Sequence, residues 1–446
     1  NLNSSRQIQY HDNVLPEWTG CLTVDGEGVL AGPKKLKFDG SNQGVFPEDK
    51  RPIATFSGFS WRKPGIHFIR LTDPASGLCV SSNPVKVTAE EPASRLFWGD
   101  PHWQTFFSDG IRCPEEIYAF ARDEGFLDFG AISDHMEAVT PRQWDYFQAV
   151  SNDYNVRGRF ATLIGQEWTH HNKNMGAPGH RNIYVRGEKA PLLSSDDPKC
   201  NTLSKLWRQL DAVSRSTRVM AIPHHPANVV MGCNWDLGWN SKYEKAVEIY
   251  SVWGSSEKSG REGNTRPISM LKGEMDGQHV VDALKKGFRF GFVGGGDIHD
   301  GRPGDALHKF SYLAWSEAER EKVPGQGFTA VWTDKLTREK VFDAIWNRHC
   351  YATTQSRIYL EVSSQRKKRG LIIFRIEAAS EQGIAEVVRV LNGNETRIEN
   401  QCSDPRIFLS DPISIELDDN DFCYFRVMTQ GGEMAWSSPV WGKAKK

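Results

Sequence analysis

The sequence has almost no net charge: 55 Lys and Arg stand against 56 Asp and Glu, leaving −1 over 446 residues. A chain without a global field is not drawn to nucleic acid or to an anionic membrane surface, so any anion recognition has to be local. No apolar run approaches the roughly 20 residues that a membrane helix needs. No leader is visible, although the chain starts at Asn1 and not at Met, which leaves a removed leader open. The eight cysteines (Cys21, Cys79, Cys113, Cys200, Cys233, Cys350, Cys402 and Cys423) form no CxxC pair and no tight zinc spacing. Dispersed thiols in a chain this long read as free and buried, which favours a reducing compartment and makes the cytoplasm the expectation over the periplasm. Three signatures are also missing. There is no GxSxG elbow and no HExxH helix, and Gly294-Gly-Gly296 is not followed by the Lys-Ser/Thr of a phosphate-binding loop. Serine hydrolase, zincin and P-loop readings fall away.

What is present is an ordinary globular composition, 39% hydrophobic and 25% charged. The length calls for two or three domains. The 15 Trp fit an aromatic-lined carbohydrate cleft or, more commonly, the packing of β-domains.

Residues 1–93 read as a β-sandwich-like domain, with short β-branched and aromatic segments at Ala54–Phe59, Gly65–Thr72 and Leu78–Val87. From 94 to 356 strands alternate with helices. Pro114–Arg122, Pro141–Val150, Leu203–Val213, Val280–Lys286 and Arg338–Trp346 have helical spacing, and apolar runs such as Phe126–Ser133, Val219–Pro223, Ala246–Val252 and Arg289–Gly294 lie between them. Such alternation predicts a parallel sheet with helices outside, and about seven units over roughly 260 residues suit a closed α/β barrel. Residues 357–446 return to β. Within them Gln365-Arg-Lys-Lys-Arg369 reads as a solvated hairpin tip and not as a nucleic-acid patch.

Ligand-type residues stand just after the strands of the middle region, where α/β barrels place their chemistry. They fall in Gly99-Asp-Pro-His-Trp-Gln-Thr105 with Ser108-Asp-Gly110, in Ile132-Ser-Asp-His135, in Gly165-Gln-Glu-Trp168 with Gly179-His-Arg-Asn182, in Pro223-His-His-Pro226, and in Asp297-Ile-His299. One His at a strand end means little. Five successive strand ends bearing His, Asp or Glu would cost several kcal/mol in repulsion and desolvation unless a cation compensated them. Mixed His and carboxylate donors suit Zn²⁺, Mn²⁺ or Fe and argue against Ca²⁺.

Taken in order, these motifs resemble the PHP (polymerase and histidinol phosphatase) superfamily, closest to a large branch of unknown function. The resemblance covers about residues 96–356, including Cys350-Tyr-Ala-Thr-Thr354 at its close. It implies a distorted (β/α)₇ barrel, flanked by N- and C-terminal β-rich segments, that holds two or three divalent metals. Carried over by residue, one metal would be held by His102, Gln104, Glu167 and Asp297. A second would share Glu167 and add His180 and His225, with His170 or His171 as alternatives to His180. A third would use Asp109, His135 and His299. The sequence departs from the family's His-x-His at Gln104, a weaker neutral donor, so two metals are a firmer expectation than three.

The implied chemistry is hydrolysis of a phosphomonoester or phosphodiester by a metal-bridging hydroxide, on a small or sugar-linked substrate. Arg181 and Arg302 are candidates to hold phosphate oxygens and His224 to protonate the leaving group; surface positions for the arginines and a hydrogen-bonding role for His224 are the alternatives. Asp100 and Asp134 precede ligand histidines and are placed to orient them, while Glu248 and Glu257 are expected to face the cleft without an assigned role. Two other readings stay open. One is a metal-dependent hydrolase or lyase acting on a non-phosphate bond of a carbohydrate-type substrate; the other is a degenerate barrel acting as a binding module. The sequence does not indicate an oligomeric state.

Overall fold

The computed structural model describes residues 18–26, 29–41, 44–46, 53–170, 178–305, 324–367 and 370–442. His171 and the tip residues Lys368 and Arg369 lie outside the described residues.

The middle of the chain supplies nine strands that matter for the site: β1 (Arg95–Trp103), β2 (Phe129–Ile132), β3 (Ile164–Trp168), β4 (Arg181–Val185), β5 (Val219–Pro223), β6 (Ala246–Ser251), β7 (Gly291–Gly294), β8 (Phe328–Thr333) and β9 (Cys350–Thr353). Helices α1 (Pro114–Asp123), α2 (Pro141–Asp153), α3 (Leu203–Val213), α4 (Val280–Lys285) and α5 (Arg338–Trp346) intervene. Their starts are written in sequence. Pro114 and Pro141 open α1 and α2 with a preset φ and no wasted donor, and the side chains of Thr140, Thr202 and Thr337 cap α2, α3 and α5.

The sheets are mixed, which corrects the uniformly parallel expectation. β1–β2 and β6–β7 pair in parallel, but β3–β4–β5 is an antiparallel meander and β8 runs antiparallel to β1. The difference arises at β4. Its Ile-Tyr-Val run is a strong strand former, and it returns antiparallel beside β3, Ile164 facing Val185 and Trp168 facing Arg181.

A single ten-stranded sheet crosses from the middle region into the C-terminal one: β9 pairs with Met434–Ser437, which continues through Phe422–Thr429 to Ile384–Leu391 and Asn394–Ile398. The sheet therefore runs unbroken across the boundary expected at 356/357. A second sheet, Tyr359–Arg366, Leu371–Ala379, Ile407–Leu409 and Ile413–Glu416, covers it. Alternate residues Ile372, Phe374 and Ile376 face Tyr351, Phe425 and Val427 in the shared core.

Near the N-terminus, Gly20–Gly26, Lys35–Phe38, Ile69–Thr72 and Cys79–Ser81 form a four-stranded antiparallel sheet. No strand forms at Ala54–Phe59, contrary to its composition; Ser60–Trp61 pairs instead. This region seats Phe68 against Tyr359 and Ala379, and stacks Phe46 on Phe120 of α1 at 5.1 Å. No Trp among the described residues is exposed, so the tryptophans serve as packing. All eight cysteines are free.

Candidate metal centre

Strand-end register brings the site together. His135 bridges Glu167 in parallel, and Trp103 bridges Ile298, so the residues just past β1, β2, β3 and β7 lie side by side. Gln104 N donates to Ile298 O at 2.9 Å and Glu167 N to Asp134 O at 3.0 Å. Side chains alternate along extended backbone, so His102 and Gln104 turn to one side and both reach Glu167, while Asp297 reaches His102 and His299 reaches Asp109.

Glu167 is the hub. It is fully buried, and four imidazoles reach its carboxylate: His180 Nδ1 at 2.8 Å, His135 Nδ1 and His224 Nε2 at 3.2 Å, and His102 Nε2 at 3.5 Å. Burial raises the Glu167 carboxyl, but the neighbouring His135 and His224 outweigh it and hold the group well below the usual carboxylate range. His102 Nε2 also lies 3.2 Å from Asp297 Oδ1, and His225 Nε2 lies 3.9 Å from Asp297 Oδ2. At the more open side, Asp109 is reached by His299 Nε2 at 3.3 Å and His135 Nε2 at 3.7 Å. Four triads have donor atoms within 4.8 Å of one another: His180–His224–His225, His102–His224–Glu248, Asp109–His135–His299 and His135–Glu167–His180.

These residues fit cations. His224 Nδ1 and His225 Nδ1 are buried with no hydrogen-bond partner among the described residues, an omission that costs about 1–3 kcal/mol per group unless a ligand completes it. The backbone is strained at the same place: His225 and Asp297 adopt positive φ, 34° and 47°, which non-glycine residues avoid at a cost of about 1 kcal/mol or more.

The structure gathers His102, Gln104, Asp109, His135, Glu167, His180, His225, Asp297 and His299 as expected by position. Gln104, however, sits as a donor: its Nε2 bonds Glu167 Oε2 at 2.7 Å, and its Oε1 lies 3.0 Å from Ser108 Oγ. Its nitrogen, not its oxygen, faces the carboxylate, so the amide would have to turn over to coordinate beside Glu167. His180 is in two of the triads and His170 is in none.

The structure places the three other sequence candidates as follows. His224 lies inside the cluster, its ring 4.1 Å from that of His225, and burial lowers it to about 4. His224 therefore also stands among the candidate ligands, in two of the four triads. Arg181 points to the opposite face of β4 from its neighbour His180. Its guanidinium is buried against Glu244 at 2.8 Å and bonds Pro178 O. Arg302 is buried with its guanidinium over Phe46 at 5.2 Å and Phe120 at 5.9 Å, against α1. Neither arginine is brought to the cluster.

Asp100 and Asp134 act on backbone and hydroxyls, not on imidazoles. Asp100 accepts from His102 N and Gly296 N, and Asp134 from Thr105 and Ser108. Glu248, to which the sequence gave no role, bonds His102 Nδ1 at 2.9 Å, and burial pushes its carboxyl up to about 7 against the opposing pull of His102. Trp253 Nε1 donates to Asp297 Oδ2, and Thr169 Oγ1 lies 2.6 Å from His135 Nδ1. The one available signal for Glu248 was a carboxylate inside the buried β6 run Ala-Val-Glu-Ile-Tyr, where a charge needs a partner. Glu257 faces elsewhere: Tyr424, Arg426 and Trp436 of the C-terminal sheet bind it.

A family model described as a protein of unknown function, DUF3604, matches residues 114–258 and 283–367, a little over half of the chain. The chain belongs to the DUF3604 family. The matched residues include His135, Glu167, His180, His224, His225, Glu248, Asp297 and His299, while His102, Gln104 and Asp109 precede them. Uncharacterized proteins of Chlamydia trachomatis and Chlamydia muridarum are 30% and 28% identical to it over 410 residues, 85% of this chain. The chain spans 62% of the length of these relatives. A solved two-domain protein from Bacteroides vulgatus, described as containing a predicted PHP-like metal-dependent phosphoesterase, aligns at a TM-score of 0.37 and 13% identity. That alignment covers 77% of this chain and 94% of the other.

Proposed function

We propose that this chain is a PHP-type metal-dependent phosphoesterase, acting on a small or sugar-linked phosphomonoester or phosphodiester with two or three Zn, Mn or Fe ions. The observation that carries the reading is Glu167, a fully buried carboxylate shared by four imidazoles, beside three more candidate triads. Such a concentration of donors is what a cation cluster needs and what a purely structural core avoids. The barrel reading is supported by the order of neighbouring strands: β1 pairs β2, β2 lies beside β3, β3–β4–β5 pair, β5 lies beside β6, β6 pairs β7, β7 lies beside β8, and β8 pairs β1.

Bound divalent metals would supply Lewis acidity at a phosphoryl oxygen and an activated water near neutral pH. The chain itself does the holding. Glu167 stays ionised between imidazoles, His224 stays neutral and keeps one nitrogen lone pair, and Asp109, the most exposed member, marks the side from which substrate enters.

A second reading keeps the metals and changes the bond: a hydrolase or lyase of a carbohydrate-type substrate. It is favoured by the placement of Arg181 and Arg302, which leaves neither guanidinium at the cluster to hold phosphate. Metal analysis together with p-nitrophenol release from phosphate mono- and diesters separates the two. The lead expects one to three metals per chain and activity lost to chelator and, by at least about 10²-fold, in Asp297→Ala. Metal without turnover of any phosphoester would hand the site to the second reading, and absence of metal would overturn both.

A further inference from the structure

We infer that Glu248 is a positioning residue of the metal centre: its carboxylate grips His102 through Nδ1 and so presents Nε2 to the cation. The inference rests on the metal reading above and adds a residue outside the ligand sets carried over by resemblance.

His102 is bonded on one edge and faced on the other. Glu248 Oε2 lies 2.9 Å from Nδ1, while Nε2 looks toward Asp297 Oδ1 at 3.2 Å and Glu167 Oε2 at 3.5 Å. A neutral imidazole has one N–H and one lone pair, and the hydrogen bond at one nitrogen decides which nitrogen keeps the lone pair. With its N–H directed at Glu248, the ring turns its lone pair into the gap between Asp297 and Glu167. Without that partner, the ring is free to take the other tautomer or to turn.

Packing closes off the alternatives. Gly295 passes so near that a Cβ there would run into the Glu248 carboxylate and into His102 Cβ. The His224 ring stands edge-on to His102, with centroids 4.3 Å apart. Both His102 and Glu248 are buried, at 0% and 2% exposure. Partners of this kind contribute about 10- to 100-fold to metal affinity in proteins generally. Glu248 also falls within ligand spacing of His102 and His224. It could therefore ligate a cation of its own, and stoichiometry tells the two uses apart.

The test is Co²⁺ binding to the full chain, by competition with a chromophoric chelator and by visible absorption, for wild type, Glu248→Leu and Glu248→Gln. Glu248→Leu is expected to keep the number of Co²⁺ bound at saturation and to weaken one equivalent about 10- to 100-fold, with an altered ligand-field spectrum. Glu248→Gln, whose amide oxygen still accepts from Nδ1, is expected to recover part of that loss. It also serves as the readout if the Leu variant does not fold. Wild-type affinity and spectrum in the variants would overturn the assignment. So would the outright loss of one equivalent with the rest unchanged, which would make Glu248 a ligand. Neither result touches phosphoesterase activity. A wild-type chain that takes up no Co²⁺ would instead overturn the metal reading and this inference with it.

Discussion

Two buried carboxylate clusters, one at Glu167 and one at Glu257 and Glu433, look alike by burial and differ in how they are satisfied. At the seam with the C-terminal sheet, Glu257 accepts from Tyr424 Oη at 2.6 Å, Arg426 at 2.8 Å and Trp436 Nε1 at 2.8 Å. Glu433 takes both terminal nitrogens of Arg266, the Thr354 hydroxyl and the Gln355 amide. Every donor there is permanent, and the network ties the loop after β6 to the sheet. Around Glu167 the donors are imidazoles, His224 Nδ1 and His225 Nδ1 find no partner among the described residues, and the backbone is strained at His225 and Asp297. Burial of charge therefore does not by itself mark a functional site. A buried cluster that the protein leaves incomplete does.

The same substitution in each cluster tests that contrast most strongly. Glu167→Gln is expected to weaken metal uptake by more than about 100-fold while the apoprotein melts near wild type, because the amide oxygen still accepts from Gln104 and its nitrogen can donate to a neutral imidazole. Glu257→Gln is expected to do the reverse, costing about 2–3 kcal/mol in denaturant unfolding through mismatched buried partners while metal content stays unchanged. Coupled loss of stability and metal in both variants would break the comparison. A smaller effect is expected at the edge of the cluster. Asp109→Ala removes the carboxylate of the most exposed triad, so one metal equivalent should go and the others stay, with activity falling about tenfold. Elemental analysis beside turnover reads both. The smallest change is Gln104→His, which replaces the amide that now binds Glu167 with a stronger donor. It is expected to tighten one equivalent by a few-fold to tenfold without altering the melting point; unchanged affinity and stoichiometry would place Gln104 outside the coordination sphere.

Much of the site was legible because strand ends in alternating α/β sequence are predictable and ligand residues cluster there. His102, His135, Glu167, His225, Asp297 and His299 followed from that pattern and from the resemblance. The misses share one cause. Arg181 and Arg302 carry the charge suited to phosphate, but alternation along β4 and the packing of Phe46 on α1 turn them elsewhere, and a side chain's direction depends on neighbours distant in sequence. Glu248 and Glu257 lie nine positions apart around one strand and were read alike. One meets His102, 146 residues away, and the other meets residues about 170 positions later.

The fold shows the same division. The helices were set locally by proline starts, threonine caps and apolar spacing, which is why their bounds came out nearly right. The antiparallel return of β4 was not, and neither was the continuous sheet from β1 into the C-terminal strands, because strand pairing joins edges wherever the chain brings them. The sequence by itself determined which residue types could bind a cation and the order in which strands deliver them. Only the tertiary structure decided which of those atoms meet another protein group and which do not, since hydrogen-bond satisfaction is a property of the assembled neighbourhood and not of any segment.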